Sequence, residues 1–330
     1  MKAYWYERAG AALDVITFGD IPDPEPGPGE VRVKIAFSAV NPTDCKRRKL
    51  GRELGKFDRI IPNNDGAGTI DAVGDGVDIS RIGERVWLFG AQANRPFGTA
   101  AEYCVVPQSY ASVLPNHESF ANGACLGVPA VTAHRALYAD GDINGLTVLI
   151  SGGSGRVGRY ATQMAKAGGA TVIATAGSDE RCNHVRNLGA DYVFHYRKDD
   201  LVSRVLDVTD GVGVDRMVDV AFGANVAAAP QLIRANGWLT SYSSDGFSKP
   251  EVPFLDFMYK NIAIRPFSIY GMPENAKINA FRQIGELLAR GRLSHRVSCT
   301  YPFKDMISAH QSIETADLFG VCLVEVAKVG

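Results

Sequence analysis

Val31-Arg32-Val33-Lys34-Ile35 alternates apolar with charged residues, the period-two pattern of a strand with one face buried and the other wet. Prolines and glycines crowd the stretch from Pro22 to Gly29 before it, which reads as a loop. Arg85 to Phe89 and Ala101 to Pro107 are further short runs of β-branched and aromatic residues, so the chain up to about residue 120 reads as mostly β. From about Val128 the pattern changes. Thr147-Val148-Leu149-Ile150 is continuously apolar; a glycine cluster follows, then a helical stretch from Tyr160 to Lys166 and a second apolar run, Thr171-Val172-Ile173-Ala174. Strand, helix and strand at this spacing form a βαβ unit, whose parallel strands are covered on both faces and need not alternate. Tyr192 to Phe194, Arg216 to Val220 and Trp238 to Thr240 repeat the alternation, which predicts an α/β fold with a doubly wound parallel sheet. Beyond about residue 265 the pattern predicts a helix over Asn275 to Leu288, a stop at Gly291 and a β-rich tail ending at Cys322 to Val326. A tail of that kind returns most economically to the first β-rich part. The expected division is therefore 1–122 and 265–330 for a β-rich domain, with 123–264 inserted as the nucleotide-binding domain. No tandem repeat or low-complexity tract interrupts this order.

The chain has 330 residues, 46% hydrophobic and 22% charged, which excludes disordered and collagen-like structure. Thirty-five Lys and Arg against thirty-six Asp and Glu leave a net charge of -1, so no overall field draws the molecule to nucleic acid or anionic lipid, and neither is expected as a partner. Six cysteines are spread along the chain without a C-x-x-C, which argues against a disulfide framework and against a cysteine zinc lobe. They read as buried thiols of a reducing compartment. No apolar leader follows Met1 and nowhere do eighteen apolar residues run together, so a cytoplasmic location is expected.

Gly153-Ser154-Gly155-Arg156-Val157-Gly158 fits G-x-G-x-x-G and lies between a predicted strand and a predicted helix. Glycines there permit a tight turn and close approach of backbone to pyrophosphate, while the helix start offers unpaired N–H groups and the positive end of its dipole. The end of the second strand distinguishes the two nicotinamide cofactors, because an NAD site usually places an acid there. This chain runs Ala176-Gly177-Ser178 instead, with Arg181 close behind, an arrangement that suits the 2′-phosphate of NADPH. Asp179 and Glu180 oppose that reading unless they serve only the dipole of the following helix.

Taken with the glycine loop, the segments Gly27 to Lys34, Ala39 to Asp44, Gly83 to Val86, Gly98 to Tyr103, Leu188 to Asp191, Gly213 to Asp215 and Ala309-His310 recur in order over nearly the whole chain. In these the sequence resembles the medium-chain dehydrogenase/reductase superfamily, and within it the zinc-free quinone oxidoreductases of the zeta-crystallin type. The resemblance implies a Rossmann domain inserted in a mostly β, GroES-like catalytic domain. It also implies that Asn41 and Thr132 lie by the nicotinamide and that Gly155 to Gly158 hold pyrophosphate. Gly177, Ser178, Arg181 and Tyr196 would surround the 2′-phosphate, and Tyr242, Ser243, Ser244, Pro266, Phe267 and Ser268 would complete the cofactor wall. Each has a plainer reading as a turn, packing or buried residue. Cys45 reads as a small buried thiol rather than a nucleophile, and His310 as a structural histidine.

Zinc-dependent members carry a Cys where Asn41 stands and a His-Glu where Asn64-Asp65 stands, so no metal is expected. A reaction without a Lewis acid favours quinones and α,β-unsaturated carbonyls, whose charge after hydride addition is already delocalised, and the expected activity is NADPH-dependent quinone or enone reduction. A zinc-free carbonyl or alcohol reductase would need a protein acid, for which Lys46 or Tyr242 are the candidates. A non-catalytic NADPH-binding protein, structural or nucleic-acid-binding, is the third reading. A homodimer is expected from the family habit of pairing Rossmann sheets edge to edge. The sequence departs from the family in a basic run, Lys46-Arg47-Arg48-Lys49 continuing to Arg52, Lys56 and Arg59 where aromatic residues are usual. It reads either as a solvated face or as the lining of a site for an anionic substrate or partner.

Overall fold

The computed structural model describes residues 1–315 and 317–327, in which the chain forms two compact units, each with its own core. One comprises Met1–Val128, Phe281–Arg290 and the chain from His295 onward; the other comprises Pro129–Ala280 and Gly291–Ser294. The strands in chain order are β1 (Lys2–Trp5), β2 (Thr17–Asp20), β3 (Glu30–Val40), β4 (Asp65–Val73), β5 (Arg85–Leu88), β6 (Tyr103–Pro107), β7 (Ala111–Val113), β8 (Thr147–Ile150), β9 (Thr171–Ala176), β10 (Tyr192–His195), β11 (Val214–Asp219), β12 (Ile233–Ser241), β13 (Ala263–Pro266), β14 (Val297–Pro302) and β15 (Val321–Glu325).

In the first unit a seven-stranded sheet runs β14-β15-β3-β4-β5-β7, with β6 paired to β3. The alternation of β3 does what its pattern predicts: Val31, Val33 and Ile35 are fully buried with Ile70, Val86 and Leu88, while Lys34 faces solvent. Trp87 is also fully buried, edge-on to Phe281. The tail is not continuous β structure. Between β14 and β15 lies a helix, Met306–Thr315, which puts Met306, Ala309 and His310 inside. Met306 and Ala309 join Cys322 and Val324 of β15 in one core cluster.

In the second unit six parallel strands lie in the order β10-β9-β8-β11-β12-β13. Counted from β8 this is 3-2-1-4-5-6, the doubly wound order of dinucleotide-binding sheets. Leu149, Ile173, Met217 and Leu239 come from four neighbouring strands and share one core with Phe194, Val205 and Val226. Such a sheet places its binding crevice beyond the carboxyl ends of its strands, where the order reverses between β8 and β11.

Candidate functional site

The glycine loop opens at that reversal. β8 ends at Ile150, Gly152 takes the left-handed conformation (φ 69°), and Gly155 caps helix Arg156–Ala167 without a side-chain hydrogen bond. The loop is tied to the next strand by Gly152 N to Thr175 Oγ1 (3.0 Å) and Gly153 N to Thr175 O (2.8 Å). A Cβ on Gly158 would collide with the Gly152 carbonyl, and one on Gly153 would sit 2.9 Å from the Ala174 Cβ. The left-handed residue of the turn therefore lies one position before the G-x-G-x-x-G stretch. Gly155 is exposed, Arg156 and Val157 are half-buried, and Ser154 is buried. Fold and loop together leave an open helix start of the kind that takes pyrophosphate.

The corner at the end of β9 is built as tightly. Ser178 caps helix Asp179–Asn187, its Oγ accepting from Arg181 N at 3.3 Å. A Cβ on Gly177 would lie 2.5 Å from the Tyr196 hydroxyl, so that phenol rests directly on the glycine backbone. Tyr196 itself is 49% exposed, with the Arg197 guanidinium over its ring at 5.6 Å. Asp179, the acid that counted against NADPH, is paired with Lys198 at 2.9 Å, and Lys198 holds its carboxyl below the usual range. It serves the helix start and a lysine, and the corner keeps Ser178, Tyr196 and Arg181 in one short arc.

β12 and β13 bring the remaining wall residues to the same end of the sheet. Ser243 Oγ donates to Asp245 Oδ1 at 3.2 Å, Ser244 Oγ donates to Phe247 O at 2.7 Å and accepts from Gly223 N at 3.1 Å, and the Tyr242 and Phe267 rings lie 6.3 Å apart. Pro266 and Ser268 are exposed and Phe267 is half-buried. Burial and then Asp219 push the Tyr242 phenol above its ordinary range, which makes it a poor acid. Pattern reading missed Asp219 altogether. It ends β11, is fully buried, and accepts from Asn225 Nδ2 at 2.6 Å, while the same amide nitrogen donates to Ser151 Oγ at 3.1 Å beside the glycine loop. The available signal was an acid closing an apolar strand.

In the first unit the positions Asn41, Asn64 and Asp65 form a closed polar cluster with Asp44. Helix Pro42–Leu50 begins with proline and a capping box, in which the Asn41 side chain accepts from Asp44 N and Asp44 Oδ2 accepts from Asn41 N at 2.7 Å. Asn64 Nδ2 donates to Asp44 Oδ1 at 2.6 Å, and Asn41 Nδ2 donates to Asp65 Oδ2 at 2.7 Å. Val128 N donates to both Asp65 oxygens, at 2.8 and 2.9 Å. All four residues are buried. Burial pushes the Asp44 carboxyl up to about 6, against the hydrogen bonds from Asn41 and Asn64; burial and then the nearby Asp44 raise Asp65 well above the carboxylate range. Among the described residues no group of three or more His, Cys, Asp or Glu could hold a metal ion.

Thr132 is buried on helix Gly127–Tyr138, and Lys46 is exposed on helix Pro42–Leu50, so this helix brings Asn41 but not Lys46 into the polar cluster. The basic run is not a single surface, and neither reading of it holds throughout. Arg47 and Arg48 point into the protein: Arg47 pairs with Glu53 and donates to Gln92 Oε1, while Arg48, fully buried, pairs with Glu314 and donates to the Gly10 carbonyl. Lys56 and Arg59 instead line a groove of about 770 Å³ with Phe57, Pro96 and Phe97, and Arg59 lies over Trp5 and pairs with Glu7. The turn after Gly51 (φ 62°) divides these directions. Cys45 lies against His310, Sγ to Nδ1 3.6 Å, and burial pushes its thiol up to about 12, which removes it as a nucleophile. His310 is held neutral by burial and then by Arg48, its pKa lowered to about 3, and its Nε2 has no hydrogen-bond partner among the described residues.

Two family models match the chain, the alcohol dehydrogenase GroES-like domain over residues 27–116 and the zinc-binding dehydrogenase model over 157–290. The quinone oxidoreductase of Sus scrofa is 28% identical over 321 residues, 93% of this chain and 94% of that protein. Among solved structures, an NAD-dependent alcohol dehydrogenase is 26% identical with a TM-score of 0.90, covering 99% of this chain and 100% of its own. A mycobacterial quinone oxidoreductase is 25% identical with a TM-score of 0.87 at the same coverage, and a mycobacterial protein solved with NADPH shares the fold at 24% identity and a TM-score of 0.85, over 99% and 100% of the two chains. Sheet order, glycine loop, matched domains and relatives agree: the chain belongs to the quinone oxidoreductase family of the medium-chain dehydrogenase/reductase superfamily.

Proposed function

We propose that the protein is an NADPH-dependent oxidoreductase that reduces a quinone or an α,β-unsaturated carbonyl without a metal. The observation that carries the reading is the cluster Asn41–Asp44–Asn64–Asp65, amides and carboxylates hydrogen-bonded to one another at the positions where zinc-dependent relatives place a Cys and a His-Glu. An amide is a weak metal ligand but a good hydrogen-bond donor to a carbonyl oxygen. The quinone oxidoreductase relatives support the acceptor class. When bound, NADPH supplies hydride from its dihydronicotinamide ring. Gly153 to Gly158 receive the pyrophosphate, Ser178, Arg181 and Tyr196 the 2′-phosphate, and Tyr242 to Ser244 with Pro266 to Ser268 flank the rest; the fit rests on the exposed helix start at Gly155, which no side chain caps. Asn41 donates to the acceptor's oxygen as charge develops there, Thr132 stands by the nicotinamide, and the final proton comes from solvent.

Steady-state NADPH oxidation with 1,4-benzoquinone, 9,10-phenanthrenequinone, a 2-enal and a simple ketone, in chelator, tests the assignment. Turnover of the first three is expected. Turnover of the ketone alone, or dependence on added zinc, overturns it. Arg181→Ala should weaken NADPH by tens-fold and spare NADH, since losing a charge-assisted phosphate contact costs about 1.5–3 kcal/mol; equal losses for both nucleotides remove Arg181 from the site.

The proposal includes a homodimer. Val252, Phe254, Leu255, Met258 and Tyr259 expose apolar surface beside β13, which pairs only with β12 among the described residues and so leaves a sheet edge open. Sedimentation of wild type against Leu255→Asp should show a dimer and its loss. A cytoplasmic location fits six cysteines that are all free. No helix among the described residues is long and apolar enough to cross a membrane.

A further inference from the structure

The Asn41 amide is held at both ends. Its oxygen takes the Asp44 backbone N–H and its nitrogen donates to Asp65, so turning it over would set a carbonyl against a carboxylate. Asp65 is fixed in turn. Val128 N–H meets both of its oxygens, and Gly127 lies so close that a Cβ there would overlap the carboxylate. Asp44 is engaged by Asn41 N and Asn64 Nδ2 and does not compete for the amide. Capping alone explains only the oxygen of Asn41, since Ser, Thr or Asp caps a helix as well. It does not explain a second buried carboxylate held at 2.7 Å on the nitrogen. Val128 N–H, at the start of helix Gly127–Tyr138, accounts for one side of Asp65; the contact with Asn41 Nδ2 adds a fixed orientation of the amide. The Asp44 N–H on the amide oxygen draws electron density from the nitrogen and strengthens its N–H donors, while the Asp65 contact fixes which way the amide faces.

We propose, on the oxidoreductase reading above, that Asp65 is a positioning residue: it fixes the Asn41 amide so that the remaining N–H serves as the donor to the oxygen of the hydride acceptor. It acts through Asn41 and touches no substrate.

The test is a double-mutant cycle on the full chain. Asn41→Ala should lower kcat by about 100–1000-fold, the size of effect found when one preorganised oxyanion donor is removed, and Asp65→Asn by at least about 10-fold, with KM for the quinone and Kd for NADPH changed less than about twofold. The double variant should be no slower than the slower single one. Additive losses, or a loss confined to KM, overturn the proposal. If Asp65→Asn does not fold, Gly127→Ala displaces the same carboxylate and takes its place in the cycle. A readout independent of turnover comes from asparagine labelled with 15N: the wild-type Asn41 amide should show one proton shifted downfield and protected from exchange, and Asp65→Asn should abolish both. A wild-type amide with two ordinary, freely exchanging protons refutes the positioning role. Absence of NADPH oxidation with every acceptor refutes instead the functional reading on which it rests.

Discussion

Two helix starts in this protein answer the same physical problem in opposite ways. Every helix begins with N–H groups that have no partner within it. Helix Pro42–Leu50 satisfies its own with the Asn41 and Asp44 capping box and adds Asn64 and Asp65 around it. Helix Arg156–Ala167 is capped only by Gly155 and offers no side chain. The first start is closed by the protein's own side chains, and the second has none over it. A helix start becomes a binding site through what the chain withholds as much as through what it provides.

The largest expected effect tests how far the closed start depends on its surroundings. Arg48→Ala removes a fully buried cation that ties helix Pro42–Leu50 to Glu314 and to the Gly10 carbonyl, and should cost about 3–5 kcal/mol in chemical denaturation, as breaking a buried ion pair does. A loss below about 1 kcal/mol would show that the pair behaves as a surface one. At the open start, Gly158→Ala sets a methyl against the Gly152 carbonyl, which only a shift of the loop can relieve. It should destabilise the protein by about 1–3 kcal/mol, the usual cost of overpacking, and weaken NADPH by about a hundredfold in fluorescence titration. Unchanged affinity would remove the loop from the binding site.

The smallest effect concerns pH. Asp44, raised to about 6, takes up a proton on folding between its unfolded value near 4 and pH 6, so its contribution to stability falls as pH rises through that window. His310, lowered to about 3, gives up a proton on folding below about 6.5, so its contribution rises with pH over the same window. The two oppose each other. Asp65, also raised, adds to the Asp44 side, so replacing His310 with Gln should steepen the decline of stability between pH 4 and 6 by about 1.4 kcal/mol per pH unit. Parallel stability profiles for variant and wild type would contradict this pairing of signs.

Sheet order, the glycine loop and the missing acid at the end of β9 are legible in the chain itself, because their rules are local: period-two and βαβ patterning, a turn that needs glycine, a strand end that needs space. The β-rich tail returns to β3 as expected, with one helix between its two strands that the pattern reading did not place. Helix Met306–Thr315 is carried by a buried face, Met306 and Ala309, that packs with Cys322 and Val324 of β15. The basic run divides in a way its pattern does not show. Consecutive charges say nothing of direction, and only the turn at Gly51, with Glu53 and Glu314 waiting inside, separates interior arginines from those at the groove.

The sequence by itself determined the family, the doubly wound sheet and the glycine loop between β8 and the helix that follows, since each depends on residues within a few positions of one another. Tertiary structure alone decided that Asp179 belongs to Lys198, that Asp219 joins Asn225 and Ser151 at the loop, and that Asn41 is gripped by Asp65 from 24 residues away. The physical reason is that a carboxylate's role is set by which donors meet it and how much water reaches it, and both depend on how the folded chain brings distant segments together.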